Sequence, residues 1–244
     1  MINYLLAYAA GFVTTCPGHQ LTTHHKTTLD AKGGGKKKST PRKTNKGFGA
    51  PPPSFDEVMS KFRTRVPENP DAQPCPCGGR SDTDKLYGDC CGPLHRGERL
   101  ALTMTDVLRS RYSAFSWRLA RYIIESTHET CRDYLEDKTA WANSLNKYGM
   151  FDSFEFVKLE PGPEETSTET ENEGYIEFTV TLRAKEDSYL EDAATQLTGQ
   201  ETEITERSKF IRNPETGVWS YGSGDVRSNT KGLEDTTLNA ESKS

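Results

Sequence analysis

The stretch YIEFTVTLR, residues 175–183, decides the class of this fold. Ile176, Phe178, Val180 and Leu182 alternate with Glu177, Thr179, Thr181 and Arg183. Successive side chains of a strand point to opposite faces, so this period of two describes a strand with one apolar and one wet face. Residues 201–212 read as a further strand, Asn213 to Gly217 (NPETG) as a turn, and Val218 to Tyr221 as the returning hairpin partner. On the other side, Phe154, Phe156 and the alternating Val157 and Leu159 predict a strand ending at Pro161. The acidic, Thr-rich interval 160–174, with Pro161 and Pro163, reads as an exposed loop.

The residues before these strands have helical spacing. Thr103 with Asp106 makes a capping-box pattern, and Leu108, Tyr112, Phe115 and Leu119 follow on one face, with apolar character continuing to about Thr127. Trp141, Leu145 and Tyr148 mark a second helix over 139–148. A short amphipathic helix is expected over 54–65, with Ser54 and Glu57 as its capping box and Phe55, Val58, Met59 and Phe62 on one face. Helices first and antiparallel hairpins afterwards give an α+β class.

Four of the six cysteines fall within the window 75–91. Cys75-Pro76-Cys77 is followed, after twelve residues, by Cys90-Cys91-Gly92-Pro93-Leu94-His95. Zinc takes four tetrahedral ligands, and two close thiol pairs joined by a short loop supply them without a large core. Gly78, Gly79 and Gly88 let the backbone turn beside the metal, Arg80 and Lys85 offset its negative charge, and His95 is an alternative to Cys91 as the fourth ligand. The competing readings are two disulfides, disfavoured because the adjacent Cys90 and Cys91 pair poorly with each other, and free structural thiols. A catalytic site would keep one position open. Cys131 stands alone and reads as a small buried hydrophobe.

Cys-Pro-Cys-Gly followed by Cys-Cys-Gly resembles the SEC-C zinc motif. With RSRYSAF (109–115), YIIESTH (122–128), ERSKF (206–210), Trp219 and Tyr221, the chain resembles the YchJ family over about 75–225. It departs from that family in a longer interval between the cysteine pairs and in having no second cysteine motif near its C-terminus. The resemblance implies a nuclear transport factor 2-like fold, in which helices pack into a curved antiparallel sheet around a cone-shaped pocket, preceded by a small zinc knuckle. It carries over no catalytic residues.

Hydrophobic residues make up 33 % of the 244 residues, net charge is −5, and mean hydropathy is −0.78. Some of the length is therefore expected to be disordered, and non-specific nucleic-acid binding by the whole chain is disfavoured. No apolar run reaches the roughly 18–20 residues that span a bilayer. Residues 4–13 (YLLAYAAGFV) have signal-peptide length, with Ala7-Tyr8-Ala9 as a cleavage pattern, although no Lys or Arg precedes them. Lys26, Lys32, Lys36, Lys37, Lys38, Arg42, Lys43 and Lys46 then face one acid, Asp30. That order resembles a bipartite presequence of complex plastids and predicts a chloroplast destination. The alternative is a basic tail on a cytoplasmic protein. The expected organisation is a targeting segment over 1–49, a linker with a short helix over 50–72, the knuckle over 73–98, the α+β domain over 99–225 and a polar disordered tail over 226–244.

Two functions follow. One is a non-catalytic binding or adaptor module, in which the zinc knuckle (Cys75, Cys77, Cys90, Cys91) docks a protein partner, with RNA the weaker choice. The other is a ligand binder or enzyme using the cone pocket, with His128 or Glu206 as acid or base. Arg109 or Arg111 is expected to pair with Glu206 inside the domain, His128 to be a satisfied helix-end residue, and Trp219 and Tyr221 to be core. Only Leu86 and Tyr87 are large apolar residues between Cys77 and Cys90, so the knuckle is expected to owe its order to metal and to be separable from the domain.

Overall fold

Ser54 opens the first helix as its sequence demands. Its hydroxyl accepts from Glu57 N and Glu57 caps Ser54 N in return, starting α1 (Phe55–Ser60). The helix is shorter than expected and ends at Lys61, while Phe62 turns inward, 9 % exposed. The computed structural model describes residues 52–79, 81, 85–147, 151, 154–185, 199 and 201–227. The predicted targeting segment 1–49, Cys16, Arg80, Tyr148 and the tail from 228 onward lie outside the described residues.

A 3-10 turn (Pro70–Ala72) leads into the cysteine segment, which ends in the single turn α2 (Gly92–His95). Then come α3 (Met104–Ser116), α4 (Ala120–Glu125) and α5 (Lys138–Lys147). Thr103 caps α3 by accepting from Asp106 N at 3.0 Å. The expected long helix is broken between α3 and α4. Arg118 takes a positive φ of 60° there, and the break is held from outside, by Arg65 N on Trp117 O (2.9 Å) and Arg118 on Arg63 O.

Four strands follow in the order β1 (Phe154–Thr166), β2 (Glu173–Ala184), β3 (Glu201–Arg212) and β4 (Trp219–Arg227), each antiparallel to the next. β2 buries the apolar set the sequence marked: Ile176, Phe178, Val180 and Leu182 are all at most 2 % exposed. β1 corrects the expected loop, since it runs through 160–166 despite two prolines. It is an edge strand, and Pro163 lies in a register shift between Pro161 and Glu164, where no ladder N–H is required. The β3–β4 turn is closed by Asn213, whose side chain accepts from Glu215 N and Thr216 N, while Gly217 takes φ 74°.

Tyr112 and Phe115 of α3 meet Phe156 of β1, and Arg111 lies over the Tyr221 ring of β4, so α3 fills the inner face of the sheet. The four cysteines, Tyr87 and Leu94 belong to the same buried cluster as Val107, Leu108 and Phe115. This differs from the expectation of a knuckle without a core of its own. The sulfurs themselves are the knuckle's core, and α3 closes it. Leu100 and Leu102 stay exposed, while Ala101 between them binds Trp219 N through its carbonyl at 2.9 Å.

Candidate metal centre

Two tight turns bring the cysteine pairs together. In the first, Gly78 N donates to Cys75 O, and Gly78 and Gly79 take φ of 80° and 86°, a region closed to most side chains. In the second, Cys90 N and Gly92 N both donate to Tyr87 O. Backbone bonds tie the turns to each other: Cys75 N to Lys85 O at 2.7 Å and Tyr87 N to Gln73 O at 2.9 Å. Gly88 serves a close approach rather than a turn, since a Cβ there would sit 2.8 Å from Asp71 Cβ.

The Sγ atoms of Cys75, Cys77, Cys90 and Cys91 all lie within 4.8 Å of one another. The separations are 3.5 Å for Cys75–Cys77, 3.5 Å for Cys77–Cys90, 3.7 Å for Cys77–Cys91 and 3.8 Å for Cys90–Cys91. Four thiolates about 2.3 Å from a tetrahedral ion would be separated by about 3.8 Å, so the donor set fits a metal ion. All four thiols are free and between 0 and 4 % exposed. Its hydrogen bonds with Cys75, Cys90 and Cys91 hold the Cys77 thiol far below the usual thiol range. Cys90 and Cys91 are pushed far above it, chiefly by their bonds with Cys75 and Cys77.

His95 does not face this cluster. Its Nε2 lies 2.9 Å from Ser110 O, a pure acceptor, so Nε2 carries the proton and Nδ1 accepts from Tyr87 Oη at 2.9 Å. Burial pulls its pKa down to about 4. Both ring nitrogens are thus engaged in joining the knuckle to α3.

The surroundings contain groups that spacing alone did not reveal. Ser113 Oγ, fully buried on α3, lies 3.4 Å from Cys91 Sγ and 3.5 Å from Cys75 Sγ. One turn earlier Arg109 Nη1 donates to Cys77 O (2.9 Å) and Gly79 O (2.7 Å). Arg99 Nη2 donates to Cys90 O at 2.5 Å. Arg109 therefore does not pair with Glu206; it holds the cysteine loop.

Arg111 points the other way, as two residues' separation on a helix requires. Its Nη1 donates to Ile123 O, Ser126 Oγ and Thr127 Oγ1 at 2.8–2.9 Å, and burial pulls its pKa down to about 10 against the opposing field of Cys131, Tyr122 and Glu206. Glu206 is fully buried on the inner face of β3 and accepts from Ser208 Oγ at 2.6 Å. His128 Nδ1 accepts from Thr130 N at 3.2 Å, the satisfied role expected of it. On the outer face of the sheet a groove of about 650 Å³ is lined by Tyr175, Arg207, Lys209 and Asp225 among others. Its cations are paired, Arg207 with Glu165 at 2.6 Å and Lys209 with Glu173 at 2.7 Å, as a solvated charged face would be.

Residues 103–224 match the family of YchJ middle NTF2-like domains. A UPF0225 protein of Vibrio vulnificus strain YJ016 is 30 % identical over 153 residues, covering 63 % of this chain and 75 % of that one. This chain belongs to the YchJ family. A UPF0225 protein of Geobacter sulfurreducens is 40 % identical over 78 residues, 31 % of this chain and 46 % of its own. The solution structure of a SEC-C motif containing protein from Rhodopseudomonas palustris is 24 % identical, with a TM-score of 0.46 over 64 % of this chain and 100 % of that one. The YchJ domain match begins at Thr103, the cap of α3. It contains Arg109 and Ser113 but not the four cysteines.

Proposed function

We propose that this YchJ-family chain is a non-catalytic binding module whose Cys75, Cys77, Cys90 and Cys91 hold one zinc ion as a structural centre. The observation that carries this reading is closure. Four buried sulfurs supply every position of a tetrahedral site, leaving none for the water that a catalytic zinc requires. Zinc rather than a harder cation is favoured by an all-thiolate donor set. The residues' own work is to hold a chain segment in shape: Tyr87, Leu94 and His95 are set against α3, and Leu86 is left 42 % exposed as an apolar contact for a protein partner. The test is elemental analysis of the reductively purified full chain. One equivalent of zinc, lost in Cys91→Ser and retained in His95→Gln, is expected; absence of stoichiometric metal would remove the reading.

The second reading, a ligand binder using the cone pocket, has inward-facing Arg111 and Glu206 in its favour, but α3 fills the inner face of the sheet and leaves them 3 % and 0 % exposed, which favours the adaptor. Native mass spectrometry separates the two. A stoichiometric small molecule released by Glu206→Gln favours the ligand binder, and its absence favours the adaptor. Residues 1–49 are proposed as a plastid address on their composition alone. A fluorescent fusion of the first fifty residues that stays in the cytosol would refute that.

A further inference from the structure

An ion bound by four thiolates carries a net charge of about −2. A centre with that charge and no solvent needs compensation nearby, because an uncompensated buried charge is costly. The sequence offered Arg80 and Lys85 for this purpose. Arg80 lies outside the described residues, and the structure brings Arg99 and Arg109 to the cysteine backbone. Each donates to the carbonyl of a cysteine, Arg99 to Cys90 and Arg109 to Cys77, so each pair is held by one guanidinium. In both arginines Nε is buried and has no hydrogen-bond partner among the described residues. Both guanidiniums are thus held beside the cluster by the carbonyls of its cysteines. Ser113 adds a hydroxyl within 3.4–3.5 Å of Cys91 Sγ and Cys75 Sγ. Arg109 and Ser113 are four residues apart on α3 and so share one face.

We infer that Arg99, Arg109 and Ser113 are positioning residues for the metal centre: the two guanidiniums balance its charge, the hydroxyl donates to thiolate sulfur, and together they set how slowly the ion is released. The inference rests on the metal reading proposed above. It explains why the arginine and serine of RSRYS sit one turn apart, and it makes α3 part of the metal site although α3 contributes no ligand. Groups that hydrogen-bond metal ligands commonly change affinity by about 10- to 100-fold when removed.

The experiment uses the full chain in four variants: Arg109→Gln, Arg109→Lys, Arg99→Gln and Ser113→Ala. Zinc transfer to a chromogenic chelator is timed, and the cobalt(II)-loaded proteins are examined by absorption spectroscopy. Arg109→Gln and Arg99→Gln are expected to release zinc about tenfold faster, with Arg109→Lys, which keeps the charge, returning towards the wild-type rate. Ser113→Ala is expected to move the thiolate-to-cobalt charge-transfer band to lower energy, because a sulfur that loses a donor holds its electrons less tightly. Thermal unfolding is recorded alongside. Variants that are less stable yet release zinc at the wild-type rate, with an unshifted cobalt band, would show that these side chains only staple the loop, and the inference would be overturned. A wild-type chain that holds no metal would remove the parent reading instead, so the two failures are distinguishable.

Discussion

His95 shows how one side chain divides two accounts of the same site. It follows the second cysteine pair closely enough to be a ligand, yet both its nitrogens are spent on Tyr87 and Ser110. His95→Gln should therefore keep one equivalent of metal and lose about 1–3 kcal/mol of stability through the groups it leaves unsatisfied, measured by urea unfolding. Its pH behaviour has a definite sign. The folded pKa of about 4 lies below the ordinary 6.5, so the unfolded chain binds more protons between these values. The contribution of neutral His95 is complete above about pH 6.5 and is lost as pH falls towards 4. The stability difference between wild type and His95→Gln should shrink across that window; a difference independent of pH would contradict the assignment. Arg111 belongs to the same scale. It is fully buried and holds Ile123 O and Thr127 Oγ1. Arg111→Leu should cost about 3–5 kcal/mol by leaving buried polar groups without their charge partner, again read by urea unfolding.

Among the elements, β2 was readable from its sequence because one face is buried and one is wet along its whole length. β1 was not. Its prolines, read locally, signal a loop, but an edge strand with a bulge tolerates them, and whether a strand lies at an edge is a property of the sheet. The break before α4 was hidden for a similar reason: its bonds come from Arg63 and Arg65, far away in sequence. The cysteine pairs were legible because ligand spacing is local. Ser113 and Arg99 were not, because their roles depend on how α3 and the α2–α3 connection dock. The β1 bulge gives a test of its own. A Cβ at Gly162 would lie 2.5 Å from the Glu177 carbonyl oxygen on β2, and a strand backbone cannot swing aside. Gly162→Ala should therefore destabilise by about 1–3 kcal/mol, seen as a lower Tm with metal content unchanged.

For the whole molecule, the joining of knuckle and domain matters most. Counting apolar residues in the cysteine loop suggested separable parts, but the thiols are themselves buried against α3 and share one core with it. A metal bound only by the folded chain stabilises everything that unfolds with its site. Chelation should accordingly lower the Tm of the main unfolding transition rather than melt a small separate one. Since Cys90 and Cys91 give up protons to bind, metal affinity should also be weaker near about pH 6 than near about pH 8, as competition titrations would show.

Hydrogen exchange of the full chain, with and without a strong chelator, tests the central claim that the metal centre is an integral part of the YchJ domain's core. The structure predicts that chelation removes protection from residues 75–95 and also from the α3 amides around Ser110–Ser113, where the Ser110 carbonyl meets His95 and the Ser113 hydroxyl meets Cys75 and Cys91. Protection lost within 75–95 alone, with α3 unchanged, would contradict it and show an independent knuckle tethered to a self-sufficient domain.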